Sequence, residues 1–178
     1  MNDMFQISDT PLSAIQFAFH VHRDHKRKYT GNPYTDHLAE VAGITAAVAF
    51  KPSFSGDPAT AIAVAWLHDC VEDVDVSIPE LGARFGEEVA EGVWWLSDLE
   101  TGNRATRKRL SRERLARAPG WVQTIKVADL ISNTSSIVQH DPDFARVYLA
   151  EKRALLEVLT EADAELLEIA HSISSQSI

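Results

Sequence analysis

The chain has 178 residues, 45% of them apolar, one cysteine and a formal charge of −9. That length buries roughly two-thirds of the unfolded surface around one core without disulfide or metal staples, and the sequence shows neither a signal-like leader nor an apolar run of ~20 residues, so a helical membrane span is excluded and a cytoplasmic protein is expected. Lys and Arg gather at 23–28 and 104–117 while carboxylates are spread throughout, a pattern that suits a small phosphorylated ligand and lacks the continuous positive track of a nucleic-acid binder.

Taken in order, the predicted elements are all helical. Thr10-Pro11 reads as N-cap and first position of a helix running to about Lys28, with Phe5, Leu12, Ile15 and Phe19 facing inward. Gly31-Asn32-Pro33 is a turn, and Thr35 or Asp36 caps a second helix that ends at Lys51-Pro52. Asp57-Pro58 starts a third, strongly apolar helix. Ser77-Ile78-Pro79-Glu80 opens a short one that Gly86 terminates, and Glu87 to about Asp98 follows with Trp94-Trp95 inside. Thr101-Gly102-Asn103 and Pro119-Gly120 bracket the basic segment 104–117. Trp121 to about Gln139 carries Asp129, Asp141-Pro142 caps a helix ending near Thr160, and Glu161 to Ser172 is the last, with a frayed tail from Ser174. No β-alternation persists, so the expectation is an all-α bundle of about eight or nine helices forming one domain over 1–178.

The third helix carries the chemistry. The apolar run Ala-Ile-Ala-Val-Ala-Trp-Leu ends in His68-Asp69, and Glu72-Asp73 follows one turn later, so helical spacing stacks these groups. Polar groups emerging from a hydrophobic wall cost ~2–7 kcal/mol each if unpaired, and charges more; a metal ion compensates them all. Cys70, between the pairs, reads as a small buried side chain. Imidazole with carboxylate suits Mn, Fe or Zn. A vicinal pair cannot fill a coordination sphere, and the best additional ligands are His37, at the start of the second helix, and Asp129, a carboxylate among core residues. His37, His68, Asp69 and Asp129 then make a two-His, two-Asp set. The competing readings are a buried His-Asp hydrogen bond, and an ordinary i,i+3 ion pair of Asp129 with Lys126.

The order His37, His68-Asp69, Asp129 resembles the HD-domain phosphohydrolases. Further segments resemble the RelA/SpoT-type alarmone hydrolases: His22 to Lys28 with Pro33-Tyr34-Thr35-Asp36-His37, Leu67-His68-Asp69-Cys70-Val71-Glu72-Asp73, Phe85-Gly86 to Ala90, and Lys126-Val127-Ala128-Asp129-Leu130-Ile131-Ser132-Asn133. The likeness runs from about Ile15 to Ile137 and suggests a stand-alone small alarmone hydrolase.

The resemblance implies a metal-dependent enzyme, with Mn²⁺ or another first-row divalent ion, that hydrolyses the 3′-pyrophosphate of (p)ppGpp or (p)ppApp and releases pyrophosphate. It implies that Glu72 and Asp73 orient water and move its proton, that Arg27 and Lys28 grip phosphates, and that Asn133 lines the nucleoside site; Lys126 and Tyr148 are placed in the same cavity. Three positions depart from the pattern: Leu38 stands for Pro, Val74 for Thr, and Ser135 for an arginine, so guanine preference does not follow and an adenosine alarmone, or another 3′-phosphorylated nucleotide, is open. The segment 104–117 either contacts phosphates or is a solvated helix. The rival readings are an HD-type nucleotidase or phosphatase, and a non-catalytic nucleotide sensor. Apolar residues exposed on a second face of the Trp94-Trp95 helix would point to a homodimer.

Overall fold

The computed structural model describes residues 10–175, and within them the side chain of Ser135 lies outside the described set. The predicted inward packing of Phe5 and the end of the tail beyond Ser175 lie outside it as well. Ten helical segments follow one another: α1 (Thr10–Val21), α2 (Thr35–Ala49), α3 (Pro58–Leu67), α4 (Cys70–Asp73), α5 (Ile78–Phe85), α6 (Glu87–Leu96), α7 (Arg104–Leu115), α8 (Gly120–His140), α9 (Pro142–Leu156) and α10 (Ala164–Ser174). α4 is a single turn, so nine helices of two or more turns remain among the described residues, as expected for an all-α bundle. The only extended pairing described is one antiparallel bridge between Lys26 and Pro33.

α3 is the central element, packed against α1, α2, α6 and α8. Its residues Ala61, Ala63, Val64, Ala65, Trp66 and Leu67 are all buried, as befits a helix apolar on every side. The alanines let neighbouring helices approach closely. Asp57 caps it by accepting the Thr60 amide at 2.8 Å, with Pro58 in the first turn. Ser77, Asn103, Asp141 and Asp163 cap α5, α7, α9 and α10 in the same way. Gly86 ends α5 at φ +92°, a conformation open mainly to glycine. Trp121 lies over Gly56 and Gly92, where an added Cβ would meet its ring at 2.6 Å.

Four expectations are corrected. α1 stops at Val21 instead of Lys28, because the charged run after it has no apolar face to bury. The chain instead doubles back, with the Arg27 amide on Asn32 O at 2.9 Å and the Tyr34 amide on His25 O at 3.0 Å. Inward packing in α1 falls to Ala14 and Ala18, while Leu12 and Phe19 are exposed. Trp94 is not inside but 41% exposed. Neither Thr35 nor Asp36 caps α2: Tyr34 holds that position without a side-chain cap, and Thr35 is buried in the first turn.

Candidate metal centre and active site

Three helices that pack on one another bring the four proposed ligands together: His37 from the first turn of α2, His68-Asp69 from the break after α3, and Asp129 from the middle of α8. One ligand atom each from His37, His68 and Asp129 lies within 4.8 Å of the other two. Asp69 Oδ2 is 3.5 Å from His37 Nε2 and 3.1 Å from His68 Nε2. Asp129 Oδ1 is 3.4 Å from His37 Nε2 and 3.9 Å from His68 Nε2.

Each imidazole is oriented by its other nitrogen. His68 Nδ1–H donates to the Ala65 carbonyl at 2.8 Å. His37 Nδ1–H donates to Ser132 Oγ at 2.8 Å, and that hydroxyl donates onward to Glu40. Both arrangements aim Nε2 at the cluster, the orientation a metal ligand needs. Both Nε2 atoms are buried without a hydrogen-bond partner, an omission that costs ~1–3 kcal/mol per group unless something fills it.

The electrostatics ask for positive charge at the same point. Burial opposes ionisation of Asp69, but His68 and His37 hold its carboxyl well below the ordinary range. Burial likewise opposes Asp129, and Lys126 and His37 overcome it. Burial also works against charge on His68, yet Asp69 and then Asp129 draw it up to about 9. A divalent cation would answer the charge of His37, His68 and Asp129, whose ligand atoms share one space, with Asp69 beside both imidazoles.

The local geometry differs in one respect from simple helical stacking. The helix is interrupted at His68-Asp69 and resumes as α4, and the Glu72 carboxylate turns to a backbone partner. Its Oε1 accepts the Asp98 amide at 2.8 Å. Glu72 and Asp73 stand open at the mouth of the site. Partial burial, with Asp69 nearby, pushes the Glu72 carboxyl up to about 7 against Lys126, and solvent access limits that push. Asp73 is raised by burial and by Asp69, and the Tyr34 hydroxyl relieves it.

The loop that holds Glu72 is itself anchored by α7. Asp98 accepts from Lys108 and Ser111 at 2.7 Å each, and buried Arg114 reaches Asp98, Glu100 and the Trp95 carbonyl. Arg114→Met leaves Glu100 without its partner and removes one of the three donors to Asp98. It is expected to lower the unfolding free energy by on the order of 3 kcal/mol, read as an earlier urea midpoint.

The other predicted residues fall on two flanks of Asp129. On one, Asn133 Nδ2 donates to Asp129 Oδ1 at 2.6 Å, and Arg27 donates to Asn133 Oδ1 and to Glu40 at 3.3 Å each. Lys28 is not drawn into this group. It is exposed, 4.0 Å from Asp141 and over the Tyr29 ring, although it lines the same cavity as Arg27 and Asn133. On the other flank Lys126 Nζ donates to Asp129 Oδ2 at 2.8 Å. The i,i+3 ion pair weighed in the sequence therefore exists, and it coexists with the cluster. Lys126 and Tyr148 line a cavity of about 220 Å³ beside Asp98 and α7.

Sequence reasoning missed Tyr34, Ser132 and Glu40 as participants. Tyr34 O–H donates to Asp69 Oδ2 at 2.6 Å, and its ring stacks on buried His22 at 5.2 Å. Ser132 and Glu40 lie three residues after Asp129 and His37, on the same faces of their helices, and that spacing was the available signal. Tyr34→Phe keeps the stack and removes the hydroxyl. Metal affinity is expected to fall about ten-fold or more with unchanged helical circular dichroism, as calorimetry would show.

The family model for the HD domain matches residues 14–171. Human MESH1, a guanosine-3′,5′-bis(diphosphate) 3′-pyrophosphohydrolase, is 31% identical over 140 residues, 74% of this chain and 72% of its own length. A Synechocystis protein described as a probable enzyme of the same activity is 32% identical over 152 residues, 82% of this chain, which spans only 19% of that relative's length. Among solved structures, a metazoan ortholog of SpoT that hydrolyzes ppGpp superposes at a TM-score of 0.82 with 26% identity over 96% of both chains. The protein lmo0812 of Listeria monocytogenes shares the fold, at 0.66 and 21% identity over 83% of this chain and 96% of its own. With its His37, His68-Asp69 and Asp129 constellation, the chain belongs to the HD domain family, in the group of MESH1- and SpoT-type proteins.

Proposed function

We propose that this chain is a metal-dependent 3′-pyrophosphohydrolase of alarmone nucleotides such as (p)ppGpp or (p)ppApp, releasing pyrophosphate and a nucleoside 5′-di- or triphosphate. The observation that carries the reading is the pair of orphaned imidazole nitrogens, 3.1–3.9 Å from two carboxylates, with an exposed acid pair one turn away. His37, His68, Asp69 and Asp129 would hold one divalent ion, with Mn²⁺ our choice. When bound, such an ion activates water at neutral pH and neutralises phosphoryl charge.

The remaining work falls to the chain's own side chains. Glu72, fixed by the Asp98 amide, accepts the proton of the attacking water, and Asp73 orients that water. Water attacks the phosphorus on the ribose 3′-oxygen, that P–O bond breaks, and the 3′-oxygen leaves with a proton. Arg27, Lys28 and Lys126 hold phosphate oxygens, while Asn133 and Tyr148 border the nucleoside. Three of the six basic side chains of α7 are engaged inward, Arg104 with Glu151, Lys108 with Asp98 and Arg114 with Glu100, which favours a compact ligand over a polymer. No helix among the described residues is long and apolar enough to cross a membrane, which fits a cytoplasmic setting, and exposed Trp94 on α6 supports the homodimer expectation.

The test is a panel of ppGpp, pppGpp, ppApp and 5′-nucleotides, run with Mn²⁺ and after chelation, with pyrophosphate and orthophosphate measured separately. Pyrophosphate from the 3′-pyrophosphorylated members, lost on chelation, is expected. Orthophosphate from 5′-nucleotides alone would favour the nucleotidase reading.

A further inference from the structure

The cavity beside Lys126 is walled by facing stripes from two helices. α7 contributes Arg104, Lys108 and Arg112, and α9 contributes Tyr148, Glu151 and Lys152, at spacings of four and of three or four that put each set on one helix face. Five basic side chains and two acidic ones line this space. Three of the basic groups are already engaged: Arg104 with Glu151 through two contacts of 2.7 Å, Lys108 with Asp98 at 2.7 Å, and Lys126 with Asp129 at 2.8 Å. Arg112 and Lys152 differ. Both are half-buried, and among the described residues neither has a carboxylate within 4.0 Å. Lys152 Nζ rests over the Tyr148 ring, 4.5 Å from its centroid.

A half-buried cation with no counter-ion, set among other cations, is unfavourable until an anion arrives. We propose that Arg112 and Lys152 form a phosphate subsite of this cavity, taking a phosphate of the nucleotide other than the one attacked. The inference rests on the reading of the chain as an alarmone hydrolase, and it assigns work to Lys152, which the sequence did not single out, and to Arg112 within the basic segment 104–117. Arg supplies a fork for two oxygens and Lys a point charge. The setting of Lys152 agrees: burial pushes its ammonium down to about 7, with Asp129 and Asp98 pulling up and Lys126 and Lys108 pushing down. Glu151 is occupied by Arg104.

Binding tests this without requiring turnover. The metal-loaded protein is titrated calorimetrically with GDP, ADP and inorganic pyrophosphate, which separate the two phosphate-bearing ends of the substrate. Lys152→Met and Arg112→Met should each weaken at least one of these about ten-fold, the scale of a charged hydrogen bond, and Lys152→Arg should restore it. Weaker nucleotide binding places the subsite at the 5′-phosphates, and weaker pyrophosphate binding places it at the leaving group; either result supports the proposal. Unchanged affinity for all three in folded variants overturns it. A second readout is one that mere packing would not move. Burial lowers the Lys152 ammonium to about 7 and an arginine keeps its charge there, so wild-type anion affinity should decline as pH rises through that region more steeply than that of Lys152→Arg. Equal slopes count against the subsite. Wild-type protein that binds anions through Lys152 yet releases no pyrophosphate from any alarmone would sink the functional reading and leave the subsite standing.

Discussion

His68→Ala is expected to reduce pyrophosphate release by at least about three orders of magnitude, because it removes a ligand whose ion supplies several kcal/mol of transition-state stabilisation. The fold should survive. His68 sits at the end of α3, after the buried run that packs against α1, α2, α6 and α8, and its loss frees only the Ala65 carbonyl and the cluster itself. Asp129→Asn makes the informative contrast. It too should abolish turnover, but it also takes the counter-charge from Lys126, whose ammonium Asp129 raises against burial. Breaking such a pair costs ~3–5 kcal/mol, so Asp129→Asn should shift the urea midpoint clearly more than His68→Ala does. Turnover assays and denaturant titrations on the two variants check both parts. Retained activity in either would dissolve the proposed ligand set.

The second large effect concerns the acid pair. Glu72→Gln preserves shape and the acceptor for the Asp98 amide but cannot take a proton. A general base contributes about 10²–10⁴-fold, so kcat should fall by that factor while metal affinity, measured by calorimetry, stays within about two-fold. The pH dependence carries the sign. Burial and Asp69 raise the Glu72 carboxyl toward about 7, a bound cation and solvent pull it back, and the base works only when ionised. The acidic limb of kcat should therefore lie between the ordinary glutamate range and pH 7, rising with pH, and Glu72→Gln should lack it. A Gln variant with full kcat would instead make the chain a nucleotide sensor or move the base elsewhere.

Much of this site was legible because its chemistry conflicts with its surroundings. His68-Asp69 ends an apolar helix and Asp129 interrupts another, and buried charge in such places demands a partner. Helix starts were equally readable where a side chain caps them, as Asp57, Ser77 and Asp141 do. What escaped depended on tertiary packing. α1 was extended through 22–28 because a charged run can be helical in isolation; the turn that sets Arg27 and Tyr34 toward the site comes from backbone bonds between 25–27 and 32–34. Leu12 and Phe19 are large and apolar and read as inward, whereas the smaller Ala14 and Ala18 fit the close approach of α3. The direction of Glu72 was missed because spacing gives the turn of the helix but not the amide that claims the carboxylate. Lys152 carries no signal in the sequence at all: its interest lies in lacking the counter-ion that Arg104, Lys108 and Lys126 each have.

The most direct measurement is a single turnover of a 3′-pyrophosphorylated nucleotide in ¹⁸O-labelled water, followed by mass analysis of both products. Attack by water on the phosphorus at the ribose 3′-oxygen places one labelled oxygen in the released pyrophosphate and none in the nucleotide. Label in the nucleotide, or orthophosphate as the sole phosphorus product, would contradict the account.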